Sequence, residues 1–184
     1  MGKRSSFERR PMDFYATPEA AVLPLLPWLP ANARFCEPCA GQGDLIRHLM
    51  AHGHSCVSAF DLSPGTPYPE KDALQLERAD IDTANYIITN PPWSRDVLHP
   101  MIMTFKDIAP TWLLFDADWA YTKQAIPYMD YCQVIVAVGR VKWIAGSKNT
   151  GKDNCAWYNF SHPKHLYPEV SKTAFVGRSK LFTK

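Results

Sequence analysis

The stretch Tyr86-Ile87-Ile88-Thr89-Asn90-Pro91-Pro92-Trp93 constrains this chain more than any other. Two isoleucines and a threonine, all β-branched, read as a short buried strand. Pro91 and Pro92 stop it. Proline has no N–H for the ladder, fixes its own φ and pushes the residue before it out of the α region. The Asn90 side chain, the Asn90 and Pro91 carbonyls and the Trp93 ring are therefore expected in a stiff turn at the C-terminal end of a strand. In open α/β sheets that edge is where ligands sit. Carbonyls there can accept hydrogen bonds from an exocyclic amine, and an indole can stack on a flat ring.

Length and charge narrow the rest. The 184 residues suffice for one domain with its own core. No apolar run approaches the ~20 residues that cross a bilayer, and the polar, basic N-terminus lacks the apolar centre of a signal peptide. The expectation is an intracellular protein with no membrane partner. The net charge of +2 hides uneven placement. Lys3, Arg4, Arg9 and Arg10 face only Glu8 in the first ten residues, and Lys172, Arg178, Lys180 and Lys184 share the stretch from Ser171 to Lys184 with no acid. Basic ends often follow a phosphate backbone; a pair of solvated termini is the plainer alternative. The expected organisation is a flexible basic tail over 1–12, one domain over 13–166 and a basic tail over 167–184.

Five cysteines, an odd number, argue against a closed disulfide framework. Cys36 and Cys39 precede His48 and His52, but the interval is shorter than a zinc finger's and Cys36 falls in an apolar strand, so no metal is expected. Cys56, Cys132 and Cys155 fall in expected strands and read as core.

Taken in order, Thr17-Pro18 reads as a helix start, with threonine at the N-cap and proline at the first helical position. Pro24 and Pro27 cut that helix short. Phe14 and Tyr15 lead into it. Arg34 to Leu45 reads as a strand, a tight glycine loop and a second helix start. Gly41 and Gly43 permit a sharp turn and close approach to a ligand, and no third glycine makes a dinucleotide fingerprint. The helix continues through Ile46, Leu49 and Met50 to a C-cap at Gly53. Ser55 to Leu62 is a second strand. Its acid, Asp61, lies about twenty residues past the glycine loop, where it can accept bonds from ribose hydroxyls.

Asp72-Ala73-Leu74-Gln75-Leu76 is expected to end a short third strand. Asp80-Ile81 competes for the same role, but parallel strands need a crossover of about a dozen residues, which favours Asp72. Tyr86–Thr89 is the fourth strand. Val97 to Phe105 is a core helix by its apolar spacing, and Trp112 to Phe115 is a fifth strand; Asp116, Asp118 or Trp119 after it is expected to line a pocket, with a helix cap and a core aromatic as the alternative. Gln133 to Val138, running on through Arg140 to Ile144, and Cys155 to Phe160 form a last hairpin. Lys148 and Lys152 at its tip are candidate phosphate contacts; an ordinary basic loop is the alternative.

Asn90-Pro91-Pro92-Trp93 resembles the Asn-Pro-Pro-aromatic motif of S-adenosylmethionine-dependent methyltransferases that act on planar amino groups. Their substrates are adenine N6, cytosine N4 and, in a sister group, a glutamine side-chain amide. Glu37-Pro38-Cys39-Ala40-Gly41-Gln42-Gly43 resembles the Glu/Asp-Pro-x-Ala-Gly-x-Gly signature of class I methyltransferases. Phe14-Tyr15-Ala16-Thr17-Pro18 resembles the cofactor-contacting segment that precedes their first strand.

The resemblance runs from Phe14 to Phe160 and implies a doubly wound, seven-stranded, Rossmann-like α/β sheet, parallel except for a C-terminal antiparallel hairpin. It implies S-adenosyl-L-methionine as cofactor and S-adenosyl-L-homocysteine as product. Glu37, Pro38, Cys39, Ala40, Gly41 and Gly43 would surround the methionine moiety, with the Glu37 carboxylate toward its ammonium. Phe14, Tyr15, Thr17 and Pro18 would close over it, Asp61 and Leu62 would meet the ribose, and Asp72 and Ala73 the adenine. Asn90 would border both cofactor and substrate. Asn90 and the Pro91 carbonyl would accept the amine hydrogens, Pro92 would stiffen the turn and Trp93 would stack on the base. Positioning and electrostatics would then carry most of the catalysis.

Two departures shape the expectation. No segment remains for a target-recognition domain or for the N-terminal helical domain of glutamine-methylating relatives. The chain resembles compact phage and prophage methyltransferases. That implies DNA adenine-N6 methylation with low or short sequence specificity, in the cytoplasm of a bacterium or a phage-infected host cell. The alternatives are an RNA or protein N-methyltransferase, or a catalytically silent nucleic-acid-binding module of the same fold.

Overall fold

The computed structural model describes residues 15–144, 146 and 150–162. Phe14, Lys148 and both basic tails lie outside them. The strands are β1 (Arg34–Glu37), β2 (Ser55–Ala59), β3 (Tyr86–Thr89), β4 (Thr111–Asp116), β5 (Cys132–Gly139) and β6 (Cys155–Phe160). They form one sheet in the order β2-β1-β3-β4-β6-β5. The first four pair in parallel, and β6 runs antiparallel to both its neighbours. The helices are α1 (Glu19–Val22), α2 (Asp44–Ala51), α3 (Arg95–Ile108) and α4 (Ile126–Met129). The chain moves outward from β1 to β2, then returns to the other side of β1 with β3. That reversal opens a crevice at the C-terminal ends of β1 and β3.

Both faces of the sheet are covered. Ile87, Leu113, Phe115, Tyr158 and Phe160 meet Leu98, Met101, Ile102 and Phe105 of α3 on one face. Phe35, Ile88, Trp112, Leu114 and Trp157 meet Ala21 and Val22 of α1 and Leu45, Ile46 and Leu49 of α2 on the other. Neighbours such as Ile87 and Ile88 part to opposite faces because a strand repeats every two residues. All six residues of β6 are buried, as a strand covered on both sides requires. Trp157 Nε1 donates to the Ala21 carbonyl at 2.7 Å, which ties α1 to the sheet. No helix among the described residues is long and apolar enough to cross a membrane.

The structure corrects several expectations. There are six strands among the described residues, not seven. The expected third strand is a single 3-10 turn, Ala73–Gln75, because the Asp72 side chain accepts the Leu74 N–H at 2.9 Å and caps it. Aspartate offers the backbone this local bond in competition with a ladder. The place beside β2 holds only one parallel bridge, Asp61 to Glu70. Pro64, Pro67 and Pro69 bracket that stretch and have no N–H to extend it.

Thr17 is not the N-cap of α1: Pro18 stands there, without a side-chain cap bond. The helix is short and passes into a 3-10 turn over Leu23–Trp28, where Pro24 and Pro27 fall. β5 stops at Gly139, whose φ of +85° turns the chain away, so Arg140 to Ile144 leaves the sheet.

Candidate active site

The glycine loop is built by bonds that its own sequence permits. Gly41 and Gly43 adopt φ of +53° and +79°, which side-chain-bearing residues rarely do. Gly43 N donates to the Ala40 carbonyl at 2.8 Å and closes the turn into α2. A Cβ at position 43 would also collide with the Tyr68 hydroxyl. Asp61 braces the loop from the end of β2: its Oδ2 accepts Gly41 N at 2.7 Å and its Oδ1 accepts Ser63 N at 2.6 Å.

Glu37 lies under this loop and is fully buried. Its Oε1 accepts Cys39 N at 3.3 Å, and its Oε2 is buried with no hydrogen-bond partner. Burial pushes the Glu37 carboxyl up to about 8; the Thr89 hydroxyl and the Cys39 amide oppose the rise and the Asp61 charge adds to it. Thr89 Oγ1 is itself buried and unbonded, so it stands near the carboxyl without satisfying it.

The Asn-Pro-Pro-Trp turn follows β3 across the crevice. Asn90 Nδ2 donates to Thr17 Oγ1 at 3.1 Å. Trp93 Nε1 donates to the Leu114 carbonyl at 3.1 Å and to Asn90 Oδ1 at 3.3 Å. Trp93 also meets Trp143 edge-on at 5.8 Å, and Trp143 lies 6.4 Å from Tyr15. One bonded group thus joins the α1 entrance, the end of β3 and the end of β4.

A cavity of about 290 Å³ opens beside Trp93. Leu98, Phe115 and Trp119 complete its apolar wall, and Arg95, Asp116 and Asp153 stand at its polar side. The volume is near the ~300 Å³ lower end of small-molecule pockets, which suits one flat ring. Trp119 is fixed by donating Nε1 to His99 Nε2 at 3.0 Å and by packing edge-on against Phe115 at 5.1 Å. Burial, together with the charges of Asp118 and Asp153, raises the Asp116 carboxyl; the Asp118 amide and Arg95 oppose this.

Several expected site residues do not converge here. Asp72 caps its own turn, and Ala73 is buried in the core. Asp80 pairs with Lys71 and accepts Glu77 N at 2.7 Å. Leu62 is exposed. Of the three pocket candidates after β4, Asp116 and Trp119 line the cavity and Asp118 is exposed outside it. Lys152 is exposed beside Asp153. Tyr68 and Trp143 were not anticipated. The hairpin pattern places Trp143 within a strand, and its position off the sheet follows from the turn at Gly139.

No protein-family model and no curated protein sequence matches the chain. Solved structures do. A provisionally assigned RNA methyltransferase from Pyrococcus horikoshii aligns with a TM-score of 0.55 at 15% identity, over 86% of this chain and 92% of that one. A protein from Listeria monocytogenes, provisionally a class I S-adenosylmethionine-dependent methyltransferase, gives 0.54 at 10% identity, over 82% and 60%. The methyltransferase subunit of a type I restriction-modification system from Streptococcus thermophilus gives 0.51 at 10% identity over 82% of this chain, which spans 45% of that subunit. The fold is that of class I methyltransferases.

Proposed function

We propose that this chain is an S-adenosylmethionine-dependent N-methyltransferase acting on a planar exocyclic amino group, adenine N6 in DNA, with low or short sequence specificity. The observation that carries the reading is the Asn90-Pro91-Pro92-Trp93 turn at the end of β3, its indole tied to Leu114 and flanking a cavity sized for one ring. The domain over 13–166 carries this chemistry, and the basic tails assist in holding nucleic acid.

The residues present fit the cofactor. Glu37 Oε2 is a buried acceptor without a donor, which an ammonium would satisfy. Asp61 still has free lone pairs beyond the two amides it accepts, enough for ribose hydroxyls. When bound, the cofactor supplies an electrophilic sulfonium methyl group.

The chain's own residues do the rest. An aromatic amine is a poor nucleophile because its lone pair is delocalised into the ring. Asn90 Oδ1 and the Pro91 carbonyl accept its hydrogens and favour a pyramidal nitrogen. Trp93 holds the ring by stacking, and its tie to Leu114 keeps the indole plane fixed. Pro91 and Pro92 keep the turn from relaxing, so orientation is set before the reaction. In duplex DNA the base reaches the cavity by flipping, at a cost of a few kcal/mol.

Labelled-methyl transfer to plasmid DNA, RNA and protein, followed by nucleoside and amino-acid analysis, tests the reading. N6-methyldeoxyadenosine from the DNA is the expected product. Labelled RNA or glutamine alone would move the substrate class, and no transfer to any acceptor would refute the enzyme.

A further inference from the structure

Methylation of a planar amine places positive charge on nitrogen, and one N–H proton must then leave. This inference rests on the amino-methyltransferase reading above. The turn after β3 can hold the amine but cannot neutralise it: Asn90 offers an amide, Pro91 a carbonyl and Trp93 an indole N–H already given to Leu114 and Asn90. The charge calls for a carboxylate facing the cavity.

Two described residues supply one there, Asp116 and Asp153. Asp153 is exposed on the loop before β6, where water and salt screen it. Asp116 is half-buried at the end of β4, the strand next to β3. Thr89 pairs with Leu113, so Asn90 stands level with Leu114. Asp116 is two residues farther toward the same mouth, about 7 Å at the usual strand rise. Its Oδ1 accepts the Asp118 N–H at 3.0 Å, which fixes the side chain and leaves Oδ2 for a substrate.

The charged and titratable surroundings of Asp116 are few. Arg95 faces it from the start of α3, Asp118 from the turn after β4 and Asp153 from the loop before β6. Cys155 and Tyr158 of β6 also approach; burial pushes both above their ordinary values, so they stay neutral near pH 7. The Tyr158 hydroxyl donates to the Asp116 and Ala117 carbonyls at 3.1 and 2.9 Å and steadies the strand end. Burial raises the Asp116 carboxyl, which makes it a stronger proton acceptor than an ordinary aspartate.

We propose that Asp116 is the proton acceptor of the transfer. The new N–C bond forms as the C–S bond breaks, the sulfur keeps the bonding pair and departs as a neutral thioether, and one proton passes from the methylated nitrogen to Asp116 Oδ2 and on to solvent. The same carboxylate stabilises the charge that develops on nitrogen beforehand.

The test is steady-state methyl transfer to plasmid DNA at saturating cofactor, from about pH 5 to about pH 9, for wild type, Asp116→Asn and Asp116→Glu, with folding checked by circular dichroism. Asp116→Asn is expected to lower kcat by ~100-fold or more with KM nearly unchanged. It should also lose the acid limb of the wild-type pH profile, which a merely structural residue would not set. Asp116→Glu should recover part of kcat and shift that limb. An Asp116→Asn enzyme that keeps its kcat, changes only KM or retains the limb overturns the assignment. Should that variant fail to fold, Asp116→Glu decides: a shifted limb supports the role and an unshifted one overturns it. A wild type that methylates DNA beside an equally active Asp116→Asn defeats this inference alone. A wild type that methylates nothing defeats the proposed function and this inference with it.

Discussion

Glu37 offers a test in which the sign and the size both follow from burial. Its carboxyl is fully buried with one oxygen unbonded, and it titrates at about 8 against an ordinary value of 4.5. A carboxyl raised by folding holds its proton more tightly in the folded state than in the unfolded chain. Folding is therefore unpenalised below the ordinary value of 4.5, loses stability as pH rises toward about 8 and stays level beyond it. At roughly 1.4 kcal/mol per pH unit the full gap is about 5 kcal/mol, of which about 3 kcal/mol is already lost near neutral pH.

Glu37→Gln keeps the shape and cannot ionise, and its amide can donate to the orphaned Thr89 hydroxyl. The variant should match wild type to within about 1 kcal/mol near pH 5 and exceed it by several kcal/mol near pH 9. Urea unfolding of both proteins across that range is the assay, because titrations common to both cancel in the difference. A stability difference that stays constant with pH would refute the buried-acid argument. The same carboxyl should couple to the cofactor. An ammonium beside Glu37 stabilises its ionised form, so uptake near pH 7 should release about one proton in wild type and none in Glu37→Gln. Calorimetry in two buffers of different ionisation enthalpy reads this directly.

Asn90→Ala is expected to abolish methyl transfer while the cofactor still binds, and full activity would rule out its proposed role. Because Asn90 also bonds Thr17, its melting temperature should fall by a few degrees, corresponding to about 1 kcal/mol. Gly43→Ala places a Cβ against Tyr68 at a φ of +79° and should cost about 1–3 kcal/mol in urea unfolding. Adding Tyr68→Ala should recover only the steric part of that loss; an unimpaired single variant would show the contact to be slack. Neutralising Lys148 and Lys152 together should flatten the fall of log affinity with log salt and leave the methylated base unchanged. An unchanged slope would remove that loop from the phosphate contacts.

Much of the frame was legible because its signals are local. β1 and β3 are short segments with apolar centres followed by Pro38 and Pro91, and α2 announces itself by apolar spacing between two glycines of positive φ. Where the reading failed, a side chain or a proline outbid the pattern. Asp72-Ala73-Leu74-Gln75-Leu76 has a strand's length, but its apolar side chains are ordinary helix formers and its aspartate caps a turn. Thr17 has the composition of an N-cap, yet its hydroxyl serves Asn90, seventy-three residues away in sequence. A local propensity of about 1 kcal/mol is easily overridden by one partly buried long-range bond.

The site divides along the same line. Residues fixed by the ends of strands could be read in advance, because a strand end places its next residue on a known edge of the sheet. Glu37, Asp61, Asn90 and Asp116 are of this kind. Tyr68 and Trp143 are not: each lies on an irregular segment whose path depends on prolines or a glycine, and each reaches the site through packing alone. This split has a chemical consequence. The acid groups Glu37 and Asp116 stand at the ends of β1 and β4, whose cores are packed on both faces, so their positions are rigid when a ligand arrives. Tyr68 and Trp143 sit on segments outside the sheet, Tyr68 against Gly43 and Trp143 against Trp93 and Tyr15. Acid groups at strand ends are thus in place before any ligand arrives, whereas rings on irregular segments are held only by the neighbours they pack against.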